Sequence, residues 1–339
     1  MNDGPVIQTA INAGAGHRTA RGLVAAQRRV PILQIALLLI VFLVGVITLP
    51  GFGGPQSLVS VLVIASLAGL AAVGQTVAIL VGGFDLSVAG FIVAGALLVT
   101  QVATSLGIGF WGGMAILVPG ALVLGGLVGY LCHRFSVPPI IVTLAMGSFA
   151  LGIVRGPAGL AVAGEAPDWL KGLASPIGTT FGIPVPPILF IWLLVAIAMW
   201  IFLKRTAAGR RLYLTGANPM AAEYSLVRTR RVWIYAFAFS ALCSALTGVM
   251  LVSFSGNVNP GLGGPYLFIS LTAVIVGGTI GGGPGDYTKT LVGALLLTMV
   301  TTVMTGHGMT SADQQLMYGV IILVAMAIYG RERRLGDRV

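Results

Sequence analysis

The chain has 339 residues, of which 57% are hydrophobic and 49 are glycine, while only 8% are charged, against roughly 25% in an ordinary soluble domain. This composition excludes a soluble globular protein, a disordered chain, and, with only two cysteines, a disulfide scaffold. The net charge of +10 does not indicate a nucleic-acid partner, because the basic residues punctuate long apolar segments instead of clustering on a soluble face.

Ten apolar segments are candidates for membrane spans, since a spanning helix needs roughly 20 mostly apolar residues. They cover residues 31–49, 57–81, 88–105, 110–131, 138–154, 186–203, 232–252, 267–281, 290–306 and 314–329. The fifth, eighth and tenth are short, which is typical of tilted, broken or partly re-entrant segments. We therefore expect an all-α polytopic membrane protein with about ten transmembrane helices, in a permease domain over residues 31–330.

The positions of lysine and arginine predict the orientation of these spans, because cytoplasmic loops carry an excess of both. With the N-terminus in the cytoplasm, 17 of the 19 basic residues lie inside. This arrangement predicts basic cytoplasmic tails at 1–30 and 331–339, a cytoplasmic loop at 204–231 and an extracytoplasmic loop at 155–185. The first apolar run is long and has no cleavage site after it, so we interpret it as a retained anchor.

Two glycine-rich stretches interrupt the apolar pattern on the cytoplasmic side, after the second and the eighth span. Irregular backbone survives in a membrane only where protein or water satisfies it, so both breaks are candidates for the pathway or its gate. The candidate residues are Gly82, Gly83, Asp85, Ser87, Gly277 and Gly278. Asp85 has a structural alternative, since its carboxylate could cap the following helix. The similarity of residues 76–83 to residues 272–278 also hints at an internal duplication.

Within the cytoplasmic loop, Asn218 and Pro219 form a helix-start signal, because asparagine caps helices and proline suits the first helical position. We expect a short helix over residues 220–224. Such a helix is suited to docking into a groove of another protein, although the basic flanks could equally serve as an anchor at the lipid headgroups.

Ionisable groups inside the membrane usually mark ion or proton paths, and Asp85 alone stands close to a continuous apolar stretch. A proton-coupled transporter would need more such groups. The sequence has no phosphate-binding G-x-x-x-x-G-K-[ST] loop, so it is not expected to hydrolyse ATP itself. We find no catalytic nucleophile–base pair and no metal-ligand spacing. The chain is therefore expected to take its energy from a partner, or to need none.

Three ordered segments resemble the ribose-type permeases of ABC importers. They are V-G-Q-T-V-A-I-L-V-G-G-F-D-L-S-V at 73–88, G-R-R-L-Y-L-T-G-A-N-P-M-A-A-E-Y-S at 209–225, and A-V-I-V-G-G-T at 273–279 followed by V-G-A-L at 292–295. The similarity extends from about residue 35 to 330. The chain departs from the family pattern at Leu226, where glycine is usual, at Pro284-Gly285-Asp286, and at Ala89-Gly90.

The resemblance implies a multi-pass subunit of the bacterial inner membrane that works by alternating access. The implied partners are cytoplasmic ABC ATPase subunits, an extracytoplasmic solute-binding protein, a second permease copy or paralogue, and the lipid bilayer. No cofactor is expected on this chain, since ATP and magnesium are used by the ATPase. Matching the motif residue by residue assigns ATPase coupling to Gly216, Asn218, Ala221, Ala222 and Ser225.

The extracytoplasmic loop is a candidate docking surface for the binding protein through its charged residues, Arg155, Glu165, Asp168 and Lys171. An ordinary solvated loop is an equal alternative. The function implied is import of a sugar or sugar-like solute; pentoses, hexoses, polyols and furanose-like signalling sugars all remain open. A branched-chain amino-acid permease, a secondary transporter or passive channel, and a membrane-embedded enzyme are the alternatives.

Overall fold

The computed structural model describes residues 31–158, 166–256, 258, 261–279, 281–283 and 285–336. The predicted N-terminal tail 1–30, the last three residues of the predicted C-terminal tail, Glu165 and Pro284 lie outside this range. Within it, the regular structure is helical, with a single isolated β-bridge between Thr180 and Ile183.

Thirteen helices make up the described fold. In chain order they are α1 (Ile32–Thr48), α2 (Pro55–Leu80), α3 (Val88–Ser105, with a π-helical turn at Leu98–Val102), α4 (Gly109–Phe135), α5 (Pro139–Ala158), α6 (Asp168–Lys171), α7 (Pro187–Arg205), α8 (Ala207–Ala217), α9 (Pro219–Tyr224), α10 (Thr229–Ser255), α11 (Gly263–Val276), α12 (Tyr287–Gly306) and α13 (Ser311–Gly336).

Each of the ten predicted spans coincides with a helix. Seven are long and apolar enough to cross a membrane, whereas α1, α11 and the apolar part of α13 are shorter. The predicted eighth span ran to residue 281, but α11 ends at Val276 because two glycines follow it. Several helices extend past a predicted boundary. Among them, α5 continues to Ala158, so Arg155 lies in its last turns, α10 begins at Thr229, and α13 continues to Gly336.

Contacts between helix ends show that the long helices alternate in direction. At one end, which we call the basic end, His133 of α4 is hydrogen-bonded to Thr229 of α10 at 2.9 Å, and Lys204 of α7 pairs with Asp286 before α12 at 2.5 Å. At the opposite end, Gln56 of α2 donates to the carbonyl of Pro176 at 3.3 Å. The basic end carries the segments that the sequence predicts to be cytoplasmic.

Helix α10 lies at the centre of the bundle and packs against α2, α3 and α4. Its contact with α4 depends on Gly125 and Gly129, because a Cβ atom at either position would collide with the α10 backbone at Phe237 or Trp233. Small residues at this spacing let two membrane helices approach closely. By contrast, the outer helices expose many apolar side chains, as expected of surfaces that face lipid.

A buried tyrosine ties three helices together. The hydroxyl of Tyr287, at the start of α12, donates to the carbonyl of Gly69 in α2 at 2.8 Å and accepts from the indole N–H of Trp192 in α7 at 3.0 Å. Tyr287 is fully buried, so both hydrogen bonds lie out of contact with solvent. The tyrosine therefore fixes the relative position of α2, α7 and α12.

Candidate coupling and gating site

The first glycine break ends α2. Gly82 has a φ of +102°, a left-handed conformation that favours glycine, and its N–H donates to Ile79 at 3.0 Å while that of Gly83 donates to Ala78 at 2.9 Å. This pair of hydrogen bonds is a Schellman motif. A Cβ atom at Gly83 would lie 2.8 Å from the ring of Phe237 in α10. The break is therefore a well-defined turn packed against the central helix.

Asp85 lies in the turn between α2 and α3 and is 1% exposed. Its carboxylate accepts from the backbone N–H of Ser87 at 2.9 Å and also from the Ser87 hydroxyl. Ser240 of α10 donates to its second oxygen at 2.5 Å. Burial raises the pKa of the Asp85 carboxyl above its usual value, and the three hydrogen bonds oppose that rise. The carboxylate thus orders the turn before α3 and joins it to α10, although the N-cap residue of α3 is Ser87 and has no side-chain cap hydrogen bond.

The second glycine break ends α11 in the same way. Gly278 has a φ of +85° and donates to Ile275 at 2.8 Å, and Thr279 donates to Val274 at 3.1 Å. A Cβ atom at Gly277 would lie 2.8 Å from the backbone nitrogen of Thr290 in α12. This second Schellman motif explains why the predicted eighth span stops early.

An aspartate hydrogen-bonded to a backbone N–H also precedes the helix after each break, although only Asp286 is the N-cap residue of its helix. Asp85 accepts from the N–H of Ser87, and Asp286 accepts from the N–H of Thr288 at 3.2 Å, each two residues further on. Gly82 and Gly278, the left-handed residues, follow Thr76 and Thr272 at equal spacing. This shared local geometry is what an internal duplication would leave. The breaks are in contact, since the N–H of Gly282 donates to the carbonyl of Ile79 at 3.1 Å.

Residues 204–231 fold into two helices between α7 and α10. The second, α9, begins as predicted: Pro219 is its first residue, and the side chain of Asn218 accepts from the N–H of Ala221 at 3.0 Å. The first, α8, was not predicted. It begins at a cap in which Thr206 accepts from the N–H of Gly209 at 3.1 Å.

Helix α8 is seated against both glycine breaks. A Cβ atom at Gly216 would overlap the carbonyl oxygen of Leu80, the last residue of α2, and would lie 3.2 Å from the Cα of Gly282. The hydroxyl of Tyr213 donates to the carbonyl of Gly285 at 2.6 Å. Burial, with the nearby Asp286 carboxylate, raises the pKa of Tyr213 to about 12, so it stays a donor. Helix α8 therefore contacts both the end of α2 and the loop between α11 and α12.

Helix α9 and the turn after it present an exposed apolar surface at the basic end. Met220, Tyr224 and Leu226 are 68%, 85% and 92% exposed, whereas Ala222 is 1% exposed. Ala221 and Ser225 are exposed, and the hydroxyl of Ser225 donates to the carbonyl of Ala221 at 3.0 Å. Of the five residues assigned to coupling, Asn218, Ala221 and Ser225 are thus accessible to a partner, while Gly216 and Ala222 hold the segment together.

Leu226 occupies the position where the resembling family usually has glycine. Its φ is +60°, a left-handed conformation, and the N–H of Val227 donates to the carbonyl of Ala222 at 3.0 Å. Leu226 therefore stands where a Schellman motif closes α9. The departure from the family pattern keeps the loop geometry but places a side chain in a conformation that glycine tolerates better.

At the opposite end of the bundle lie the charged residues predicted to dock a binding protein, of which Glu165 is outside the described residues. Asp168 and Lys171 form an exposed ion pair with each other at 3.4 Å, and Arg155 lies exposed in α5. The same surface exposes large apolar side chains that sequence reasoning missed. They are Trp111 (72% exposed), Trp169 (50%), Ile177 (81%) and Phe181 (100%), with Trp111 stacked on Trp169 at a 5.9 Å centroid distance.

Other residues of the site were also missed, namely Leu80, Lys204, Tyr213, Ser240 and Gly282. Tyr213 belongs to the G-R-x-x-Y-x-x-G motif, so the sequence marks this residue. The motif does not indicate its hydrogen-bond partner, Gly285. The remaining four are distant along the chain from the residues they contact. Among the described residues, no group of three or more His, Cys, Asp or Glu side chains is placed to hold a metal ion.

Comparison with known proteins agrees with the three motifs. Residues 57–326 match the family described as "Branched-chain amino acid transport system / permease component". The chain is 32% identical to the ribose import permease protein RbsC of Haemophilus influenzae, across 86% of this chain and 90% of that protein. It is 31% identical to RbsC of Bacillus subtilis (87% and 90%) and 29% identical to the autoinducer 2 import system permease protein LsrD of Escherichia coli (76% and 79%).

No solved structure matches the chain. The family match covers most of the sequence, and the matching residues include both glycine breaks and the whole of the α8–α9 segment. Seven helices within the described residues are long and apolar enough to cross a bilayer. The chain therefore belongs to this family of ABC-importer permeases, as a multi-pass protein of the bacterial inner membrane.

Proposed function

We propose that the chain is the permease subunit of an ATP-driven importer for a sugar or sugar-like solute. Relatives named as ribose import permeases align over 86–87% of this chain and 90% of their own length, and a relative named for autoinducer 2 import aligns over 76% of it. A binding protein outside the membrane delivers the solute. The permease, paired with a second copy or a paralogue, passes it across by alternating access.

ATP, with magnesium, binds to separate cytoplasmic subunits, and their closure supplies the energy. The proposed contact on this chain is the exposed apolar surface of α9 and the turn after it, formed by Met220, Tyr224 and Leu226. A short amphipathic helix that lays apolar side chains into a groove is a recurrent mode of protein recognition. The bound subunit would then pull or push on the segment 204–231.

One observation carries this proposal: Gly216 of α8 lies against the end of α2 at Leu80 and against the second break at Gly282. These are direct backbone contacts with no side chain between them. A displacement of α8 would therefore be passed directly to the residues it touches. Tyr213 and the Lys204–Asp286 pair add two further links to the start of α12. Movement at the ATPase would thus tilt α2 and α12 together, which opens the pathway to one side or the other.

Substrate specificity is expected to lie mainly in the binding protein. A permease that binds its solute weakly releases it readily, but such weak binding discriminates little between solutes. The family description names branched-chain amino acids, which makes such a solute the second candidate. Transport studies with the reconstituted importer distinguish the two. Proteoliposomes that contain the permease, its ATPase and its binding protein are expected to accumulate labelled ribose or a related sugar, and not leucine, when ATP is supplied.

Two controls make this experiment decisive. Uptake that persists without the ATPase subunits would contradict an ATP-driven importer and favour a secondary transporter or channel. Leucine uptake that ribose fails to inhibit would overturn the sugar assignment while leaving the coupling mechanism intact.

A further inference from the structure

A deep groove opens between α7 and α10, with α2 as its floor, and has a volume of about 1220 Å³. Along α7 it extends from Ile191 to Phe202, and along α10 from Val232 to Met250. At a rise of about 1.5 Å per residue, the α10 wall is roughly 27 Å long. The groove is therefore longer than one leaflet of a bilayer, which is about 15 Å of hydrocarbon.

The two parts of this groove differ in chemistry. Its walls are almost entirely apolar, with Thr247, Cys243 and Tyr235 as the few polar exceptions, whereas its end at the basic side holds Arg211, Arg228 and Arg231. All three arginines are exposed. None of the described residues that line the groove is acidic, and no described carboxylate pairs with any of the three.

We propose that this groove binds one anionic phospholipid of the cytoplasmic leaflet. The phosphate is held by the guanidinium groups of Arg211, Arg228 and Arg231, since arginine binds phosphate oxygens through a planar fork of donors. The acyl chains lie between α7 and α10. A cationic end joined to an apolar channel matches the layout of a phospholipid, and basic residues beside a membrane helix attract anionic lipids.

Other occupants fit the groove less well. A sugar would leave its hydroxyl groups facing the apolar walls, where unsatisfied polar groups are costly. A second copy of the chain docked about a two-fold axis would bring the same surface patch, with its three arginines, against this one. Like charges in that position repel, and no acidic side chain among the described lining residues offsets them.

The lipid would act where the coupling segment meets the membrane. Arg211 and Leu212 belong to α8, the helix that carries Tyr213 and Gly216, and Arg228 and Arg231 flank the start of α10. A bound headgroup therefore joins α8 to α10 at the point where force from the ATPase enters. The inference concerns lipid binding alone, so it can fail while the proposed transport function stands.

Native mass spectrometry of the full-length permease tests the lipid site. With equal amounts of phosphatidylglycerol and phosphatidylcholine of identical acyl chains, we expect the protein to retain the anionic lipid at least five-fold more. The triple variant R211Q/R228Q/R231Q is expected to bring this ratio close to one. The matched triple R205Q/R210Q/R230Q removes the same charge from arginines of the same segment outside the groove, and is expected to keep the preference.

A second pair of variants tests the apolar part. Ala198→Trp fills the groove from α7, whereas Ile197→Trp places the same ring on the neighbouring exposed position outside it. Only the first is expected to lower retention of both lipids. The proposal is overturned if both triples lose the preference equally, or if glycerol phosphate or ribose displaces the lipid. It is also overturned if the Ala198→Cys variant forms a crosslink between two copies across the groove.

Discussion

Gly216 and Leu80 meet through their backbones, so closely that a Cβ atom at Gly216 would overlap the carbonyl oxygen of Leu80. Gly216 belongs to the segment that the family motif assigns to ATPase coupling, and Leu80 ends the helix that leads into the first glycine break. The contact therefore joins the proposed site of energy input to the proposed gate. The contact also explains why position 216 holds glycine, since any larger residue would collide with Leu80.

The first prediction follows from that contact. Gly216→Ala is expected to lower the free energy of unfolding by about 1–3 kcal/mol, the usual cost of overpacking a tight contact, and to reduce ATP-driven uptake at unchanged ATPase binding. Thermal melting of the purified permease and uptake in proteoliposomes measure the two effects.

Gly152→Ala is the matched control for this substitution. Gly152 also lies inside a helix, α5, but a Cβ atom there meets nothing within 4 Å. Alanine in a helix is favoured over glycine by roughly 0.5–1 kcal/mol, so this variant should be neutral or slightly stabilised. Equal destabilisation by both substitutions would show that the Leu80 contact is unimportant.

The second prediction separates two neighbouring alanines of the coupling motif. Ala221 is exposed and Ala222 is 1% exposed. Ala221→Glu is expected to uncouple ATP hydrolysis from uptake with little change in thermal stability, because the charge disturbs only a docking surface. Ala222→Glu is expected to cost about 2 kcal/mol or more, since it buries a carboxylate without a partner. The proposed docking role is wrong if A221E transports normally.

The third prediction concerns the left-handed residue that ends α9. Leu226→Gly should be more stable than Leu226→Ala by about 1 kcal/mol, because only glycine adopts a φ of +60° without steric cost. Both variants lose the same exposed side chain and should weaken ATPase binding equally. Comparison of their melting temperatures with their affinities for the ATPase tests both statements. Equal stability of the two variants would mean that the backbone there carries no strain.

The spans and the α9 helix were predictable because their signals are local. Long apolar runs and asymmetric lysine and arginine placement indicate spans, and the Asn218–Pro219 pair is both cap and first turn of its helix. Helix α8 was missed because Gly209 and Gly216 lower helix propensity over only 11 residues. Both glycines are required instead by close backbone contacts, Gly209 with Phe202 and Gly216 with Leu80.

The residues that the motif residues contact could not be predicted, because these contacts are not local in sequence. The motif marked Gly216 and Tyr213, but what they contact depends on how distant segments pack. Ser240, in the middle of an apolar helix, gave no sign that it binds Asp85. At the extracytoplasmic end, the docking prediction was based on charged residues alone. The structure also exposes large apolar side chains there, including Trp169 and Phe181, which the prediction left out.

The fourth prediction uses two roles of Asp286, which caps α12 through Thr288 and pairs with Lys204. Asparagine caps a helix as well as aspartate does, so Asp286→Asn should lose only the ion pair, as should Lys204→Met. The Lys204 side chain is 48% exposed, and each of these variants should cost no more than about 1 kcal/mol. Asp286→Ala should cost about 1 kcal/mol more. Chemical denaturation of the three variants measures these differences, and equal losses for D286N and D286A would exclude the capping role.

The last prediction concerns the buried contact between Asp85 and Ser240. The carboxylate accepts from Ser240 of α10 and from Ser87 at the start of α3, so Asp85→Ala leaves buried donors without a partner and should cost about 1–3 kcal/mol. Ser240→Ala should cost about 1 kcal/mol alone. The stability loss of the double variant should be smaller than the sum of the two single losses by at least about 0.5 kcal/mol, because both substitutions remove the same hydrogen bond. Ser66→Ala, whose hydroxyl donates within its own helix to Leu62, should add to Asp85→Ala within about 0.5 kcal/mol. If the losses of Asp85→Ala and Ser240→Ala are additive in their double variant, the Asp85–Ser240 hydrogen bond does not link α10 to the first break.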